Sequence, residues 1–187
     1  MNAPEAPEIW RELVRASVDR RHPWRVVSFC TQSEEDGPQA RSVILRQAKT
    51  DERLLLFYTD ARTRKLRDLA ACPRVALLMW DGPHRRQLRL WGSARRLEDQ
   101  QAVDLHWARV PEAGQRDYAT VLPPGTPLPQ GEGSDADLSP AVARSQFVVL
   151  AVEVDRMEWL ELRREGHRRT ALNWGPEGAW SAQSLVP

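Results

Sequence analysis

Four short stretches of this chain carry residue types that can hold an anion and a polar ring. In Arg41-Ser-Val-Ile-Leu-Arg46, two guanidiniums frame an apolar run. A guanidinium offers planar N–H forks that match phosphate oxygens. If the run is a strand, Arg41, Val43 and Leu45 share one face, and Ser42, Ile44 and Arg46 the other. Phe57-Tyr58-Thr59 is followed by Thr63-Arg64-Lys65 at the opening of a helix. Cations there oppose the helix dipole, yet an anion held by the free N–H groups would suit it. Arg86-Gln87-Leu-Arg-Leu-Trp-Gly92 places an amide at a strand start, where it can both accept and donate. Trp159, His167, Arg168, Arg169 and Trp174 complete the set. Each stretch has a plainer explanation: solvated strand ends, a surface amide, a core tryptophan, a basic turn. Only their order along the chain gives them joint weight.

Several other chemistries are excluded at the first test. There is no GxGxxG after a strand and no GxxxxGK[ST], which removes the common dinucleotide and phosphate-loop signatures. His22, His84, His106 and His167 are scattered, with no HExxH or CxxC, so no metal site is expected. GxSxG is also missing, which argues against a serine hydrolase.

The elements that must position these residues are mostly strands. Residues 8–20 space Ile9, Trp10, Leu13, Val14 and Val18 as an amphipathic helix ended by Pro23, within an N-terminal segment 1–22. WRVVSFCTQ from Trp24 and ARSVILRQA from Ala40 form a predicted hairpin around Asp36-Gly37-Pro38. Leu54–Tyr58 is a third strand, with Thr59-Asp60 as N-cap candidates for a helix over Ala61–Ala71 that Pro73 ends. Val75–Trp80 and Gln87–Arg96 follow as strands, and Glu98–Arg109 as a helix with Ala102, Val103, His106 and Trp107 inward. Residues 110–146 include a Pro/Gly/Ser/Asp-rich stretch without a period, expected as a flexible loop or irregular flap. Phe147–Val154 and Met157–Leu162 are two further strands, and Arg168–Trp174 pairs back after Gly166. Seven or eight strands with helices inserted at intervals, and no regular strand–helix alternation, favour an antiparallel barrel over a doubly wound sheet.

Composition bounds the partners. The chain has 187 residues, a net charge of +1, 41% hydrophobic and 28% charged residues, enough for a single domain with its own core. Near-neutral charge argues against a general nucleic-acid binder. Of its 27 basic residues only Lys49 and Lys65 are lysine, a bias that GC-rich codons explain in large part. The N-terminus lacks a basic then apolar leader, and no apolar run approaches a membrane span, so a cytoplasmic protein is expected. Cys30 and Cys72 stand far apart, consistent with reduced thiols.

In this order the stretches resemble the pyridoxamine 5′-phosphate oxidase family of FMN-binding split β-barrels. The family's R-x-V-x-L-K is matched by Arg41-Ser-Val-Ile-Leu-Arg46, and its F-Y-T with a later S-R-K by Phe57-Tyr58-Thr59 and Thr63-Arg64-Lys65. Val75-Ala-Leu-Leu-Met-Trp80 and Arg86-Gln-Leu-Arg-Leu-Trp-Gly92 follow in register, then Trp159, His167 and Arg169, and finally Leu185-Val-Pro187. The resemblance runs over residues 24–187 and is weakest across 110–146. It implies a mainly β, Greek-key-like antiparallel barrel with inserted helices, forming a homodimer with FMN at the interface. It further implies that Arg41, Arg46, Arg64 and Lys65 hold the FMN phosphate. The strand residues Ser42, Val43, Ile44 and Leu45 would lie along the cofactor, and Tyr58 and Thr59 would line the same pocket. Gln87, Trp159 and Arg169 would surround the ring, partly from the second subunit.

Of the positions that hold the family's substrate phosphate, only the arginine is unchanged. A lysine, tyrosine, arginine and serine are matched by Arg46, Leu105, Arg109 and Ala113, and a catalytic arginine by Glu165. A carboxylate in place of a cation repels a phosphate ester. The resemblance therefore implies an FMN-dependent oxidoreductase, oxidase-like and acting on CH–NH2 or similar donors, whose substrate is not pyridoxamine phosphate. His167 and Arg109 are the candidates for contacting that substrate. The alternatives are a pyridoxamine/pyridoxine 5′-phosphate oxidase with an altered pocket and a non-catalytic flavin-binding protein.

Overall fold

The computed structural model describes residues 4–128 and 139–187. Helix α1, Ala6–Val18, is opened by Pro7 in its first turn and by a Glu5 backbone N–H that donates to Glu8 Oε2 at 3.0 Å. It buries Ile9, Trp10, Leu13 and Ala16 against the sheet. It stops at Asp19, whose extended backbone breaks the helix before the expected end at Arg20 and Pro23.

Eight strands follow: β1 Val26–Ser33, β2 Gly37–Lys49, β3 Leu54–Asp60, β4 Arg74–Asp81, β5 Arg86–Arg96, β6 Phe147–Glu161, β7 Arg168–Trp174 and β8 Trp180–Leu185. Their order is β3-β2-β1-β4-β5-β6-β7-β8, and β3 also pairs with β6. That extra pairing closes six strands into an antiparallel barrel, with β7 and β8 extending from β6. Closure removes two exposed edges, which is the stable solution for a sheet of this length. Inward positions alternate along each strand: Phe29 on β1, Leu45 on β2, Phe57 on β3, Leu77 and Met79 on β4, and Leu88 and Leu90 on β5, all at most 1% exposed.

Three expected boundaries shift for local reasons. Thr59 and Asp60 end β3 and do not cap a helix. The chain turns at Asp60, whose Oδ1 accepts from Arg62 N at 2.7 Å, and α2 begins one turn later as Arg64–Ala71 with Thr63 at its N-cap. The two strands expected over 147–162 are one. Asp155 interrupts the alternation, but it is the extra residue of a bulge between Trp91/Gly92 and Arg156/Val154, and pairing resumes beyond it. Helix α3 is shorter than expected, Gln100–Trp107, because Asp99 caps it by accepting from Gln101 N and Ala102 N.

Parts of the stretch 110–146 carry helical structure. Helix α4 spans Glu112–Gln115, a 3₁₀ turn Arg116–Tyr118, and α5 Pro140–Gln146. Tyr118 and Trp107 pack on Phe147 of β6, with ring centroids 5.2 and 5.1 Å away, so aromatic anchors order a segment whose composition has no period. Residues 129–138, the most Gly- and Asp-rich part, lie outside the described residues.

Candidate functional site

One end of the barrel gathers cations and hydroxyls. Thr59 lies on the inward face at the end of β3, and α2 crosses that end with Lys65 in its first turn. Lys65 Nζ donates to Thr59 Oγ1 at 2.6 Å and lies 3.4 Å from Thr63 Oγ1. Arg41, inward on β2 opposite Phe29, donates to Thr31 Oγ1 at 2.7 Å and to Phe29 O at 3.2 Å. Asp68, one turn along α2 from Lys65, accepts from Thr31 Oγ1 at 2.8 Å and stands 3.7 Å from Arg41 Nη2.

Burial, with the Arg41 charge behind it, holds the Lys65 ammonium below the ordinary lysine range. Burial likewise lowers Arg41, partly offset by Asp68. Two half-buried cations, both lowered by burial and Lys65 further by Arg41, form a site whose electrostatics improve when an anion enters. A phosphate, doubly charged and with several acceptor oxygens, fits this donor set of guanidinium, ammonium and two threonine hydroxyls.

Two arginines expected with them have other neighbours. Arg64 is exposed and pairs with Glu35 and Asp36 in the β1–β2 turn. Arg46 follows Leu45 at a register shift between β2 and β3, and its guanidinium lies 4.9 Å from the Tyr58 ring centroid. Tyr58 faces away from the barrel interior, where its hydroxyl is 3.0 Å from His106 Nδ1 and its ring meets Phe147 at 4.9 Å. Arg46 and Arg109 both act electrostatically on Tyr58, although burial dominates and raises its pKa. Burial pushes Tyr118 in the same cluster up to about 12. Burial, and then the Arg109 charge, lower the pKa of His106, which favours its neutral form. On β2, Leu45 is fully buried, Val43 packs against the core, Ile44 is half-buried and Ser42 is exposed.

The ring-side candidates divide across the sheet. Gln87 pairs with Leu160, and Leu160 with Arg169, so Gln87 and Arg169 share the outer face of β5-β6-β7. Trp159 pairs with Leu88 and Thr170, which turns it inward. There it is 6% exposed and meets Trp24 edge-on at 5.8 Å, so within one chain it belongs to the core. His167 is exposed in the β6–β7 turn, where its Nδ1 accepts from Arg163 N at 3.2 Å, and Arg109 is exposed just after α3. Sequence reading missed Thr31, Asp68, Tyr118 and Glu158. Asp68 had a usable signal, since it stands three residues after Lys65 and so shares its helix face.

The outer face also carries an apolar stripe. Val26 is 54% exposed, Leu78 38% and Trp80 46%. Pairings Val26↔Ile44, Ser28↔Leu78 and Trp80↔Gln87 make this stripe continuous with Gln87.

A family model described as pyridoxamine 5′-phosphate oxidase matches residues 19–153. The chain belongs to the pyridoxamine 5′-phosphate oxidase family. Among curated relatives, the pyridoxine/pyridoxamine 5′-phosphate oxidase of Anaeromyxobacter dehalogenans is 33% identical, over 99% of this chain and 96% of that protein. That of Rubrobacter xylanophilus is 39% identical, over 46% of this chain and 39% of its own length. Two solved structures share the fold across the whole chain at 20% identity. One is a pyridoxamine 5′-phosphate oxidase-related, FMN binding protein from Nostoc punctiforme, with a TM-score of 0.77 and complete coverage of both chains. The other is PhzG from Burkholderia lata in complex with tetrahydrophenazine-1-carboxylic acid, with a TM-score of 0.76 and coverage of 100% and 98%. The barrel is thus the family's split barrel. Among the described residues no helix is long and apolar enough to cross a membrane.

Proposed function

We propose that this chain binds FMN and works as an FMN-dependent oxidoreductase in the form of a homodimer. The observation that carries the reading is the convergence of Arg41, Thr59, Thr63 and Lys65 at one barrel end. These residues hold the FMN phosphate, and Arg64, exposed at the start of α2, is close enough in sequence to add a second guanidinium. Bound FMN supplies a ring that takes up and returns two electrons. Gln87 presents an amide to the polar edge of that ring, and Arg169 places a positive charge beside it, which favours the reduced anion. Trp159 supports the ring-bearing sheet from inside.

The dimer reading rests on the stripe of Val26, Leu78 and Trp80, a hydrophobic patch adjoining Gln87. Trp80→Glu is expected to convert a dimer to a monomer in sedimentation velocity and to weaken FMN binding at the same time. A variant that sediments like the parent would place the interface elsewhere.

At the substrate end, Arg46 and Arg109 both bear on Tyr58. Leu105, 65% exposed, stands where the family has a tyrosine, and Glu165 where it has an arginine. This pattern favours a small organic donor other than pyridoxamine phosphate, approached by Arg109 and His167. Cytoplasmic residence is part of the same proposal, since unpaired thiols such as Cys30 and Cys72 suit a reducing compartment.

Comparing FMN with riboflavin tests the phosphate reading. FMN should raise the thermal midpoint, and riboflavin, which lacks the phosphate, should raise it much less. Equal shifts would remove the role assigned to Lys65 and Arg41.

A further inference from the structure

Glu158 sits beside Trp159 on β6 but faces the outer side, with a carboxylate that is only 3% exposed. Its Oε1 accepts from Arg169 twice, through Nε at 3.0 Å and Nη2 at 2.7 Å. The same oxygen accepts from Arg89 Nη1 at 3.3 Å, and Arg156 Nη2 lies 3.6 Å from Oε2. Arg89 and Arg156 in turn lie over the Trp91 ring, 4.6 and 4.7 Å from its centroid. Three guanidiniums therefore share one buried carboxylate.

An apolar side chain at this position would be at least as favourable for stability, because desolvating an ion pair costs about as much as the pairing returns. The cluster does something an apolar residue could not. It fixes the Arg169 guanidinium through two donors on one edge, and it cancels part of that arginine's charge. We propose that Glu158 is a positioning residue that orients Arg169 and sets how much positive charge it presents to the flavin ring. The proposal rests on the FMN reading above, and in particular on Arg169 lying beside the ring.

The test uses the full chain loaded with FMN and compares its two-electron midpoint potential across variants, each checked for folding by circular dichroism. Glu158→Gln removes a negative charge while keeping the side chain's size. It is expected to raise the preference for reduced over oxidised FMN about tenfold, equivalent to about 30 mV in the positive direction for a two-electron couple. Glu158→Asp keeps the charge and should stay near the parent. Arg89→Gln leaves Glu158 shared by fewer cations and should move the potential the opposite way, which also keeps the proposal testable if Glu158→Gln fails to fold. A potential unchanged in both Glu158→Gln and Arg89→Gln overturns the proposal, as does a negative shift in Glu158→Gln. Arg169→Gln separates the two layers. If it lowers the potential while the Glu158 and Arg89 variants do not, the ring-side arginine stands and the role of Glu158 falls. If it also has no effect, Arg169 is not beside the ring and both fall.

Discussion

Lys65→Ala is expected to weaken FMN binding by about 10- to 100-fold, corresponding to about 1.5–3 kcal/mol for losing a charge-assisted hydrogen bond to a phosphate. Lys65 is the best placed of the cations, half-buried and fixed between Thr59 and Thr63. Its surroundings make the free ammonium costly, so much of the anion's contribution is concentrated there. The same effect sets a pH dependence. Because burial and Arg41 lower its pKa in the free protein, Lys65 loses its proton at a lower pH than an ordinary lysine does. Bound phosphate favours the charged form, so FMN affinity should fall as pH rises from neutrality toward the ordinary lysine range. In Lys65→Ala that decline should disappear, since Arg41 stays protonated throughout. Titrations of both proteins across this range check the claim, and a parent affinity that is flat with pH would show that Lys65 does not meet the phosphate.

Gly92→Ala is expected to give the largest loss of stability of any single methyl addition considered. A Cβ at Gly92 would stand 2.1 Å from Glu153 O and 3.1 Å from Val154 Cα, backbone atoms of the adjoining strand that cannot turn aside. Gly92 sits at the bulge where β5 changes register against β6, so relief requires separating the two most central strands on that side. A cost of about 3 kcal/mol or more follows from overpacking against backbone. For a chain of this size it lowers the thermal midpoint by roughly 6–12 °C. Gly82→Ala is the control, because its nearest neighbour, Trp80 Nε1 at 3.5 Å, is at ordinary contact distance. Calorimetry of the two variants decides: similar midpoints would mean that the β5–β6 bulge adapts freely.

Much of the barrel was legible because it rests on short-range signals. Period-two alternation around Phe29, Leu45, Leu77 and Leu88 gives the strands, and turn residues such as Asp36-Gly37-Pro38 give the connections. The resemblance implies one phosphate site of Arg41, Arg46, Arg64 and Lys65 lined by Tyr58 and Thr59; of these the structure gathers Arg41, Thr59 and Lys65 at one barrel end. What the sequence could not give depends on irregular register and distant partners. Asp155 breaks the alternation of β6 and hides its continuity. The shift after Leu45 directs Arg46 toward Tyr58, a displacement invisible to counting by twos. Arg64 stands one residue before Lys65, about 100° away around the helix, and finds Glu35 and Asp36 from a turn whose position is set only by the folded barrel. Trp159 resembled a ring-side residue by spacing, but the pairing of β6 with β5 and β7 turns it into the core, as strand tryptophans commonly are.

The central claim is tested most directly by the visible absorption of the purified protein, followed by titration with FMN while its fluorescence is monitored. A yellow protein, or an apoprotein that saturates at one FMN per chain, is the expected result, with Arg41→Ala and Lys65→Ala saturating only at higher FMN. A colourless, folded protein whose FMN titration shows no saturable change would contradict it.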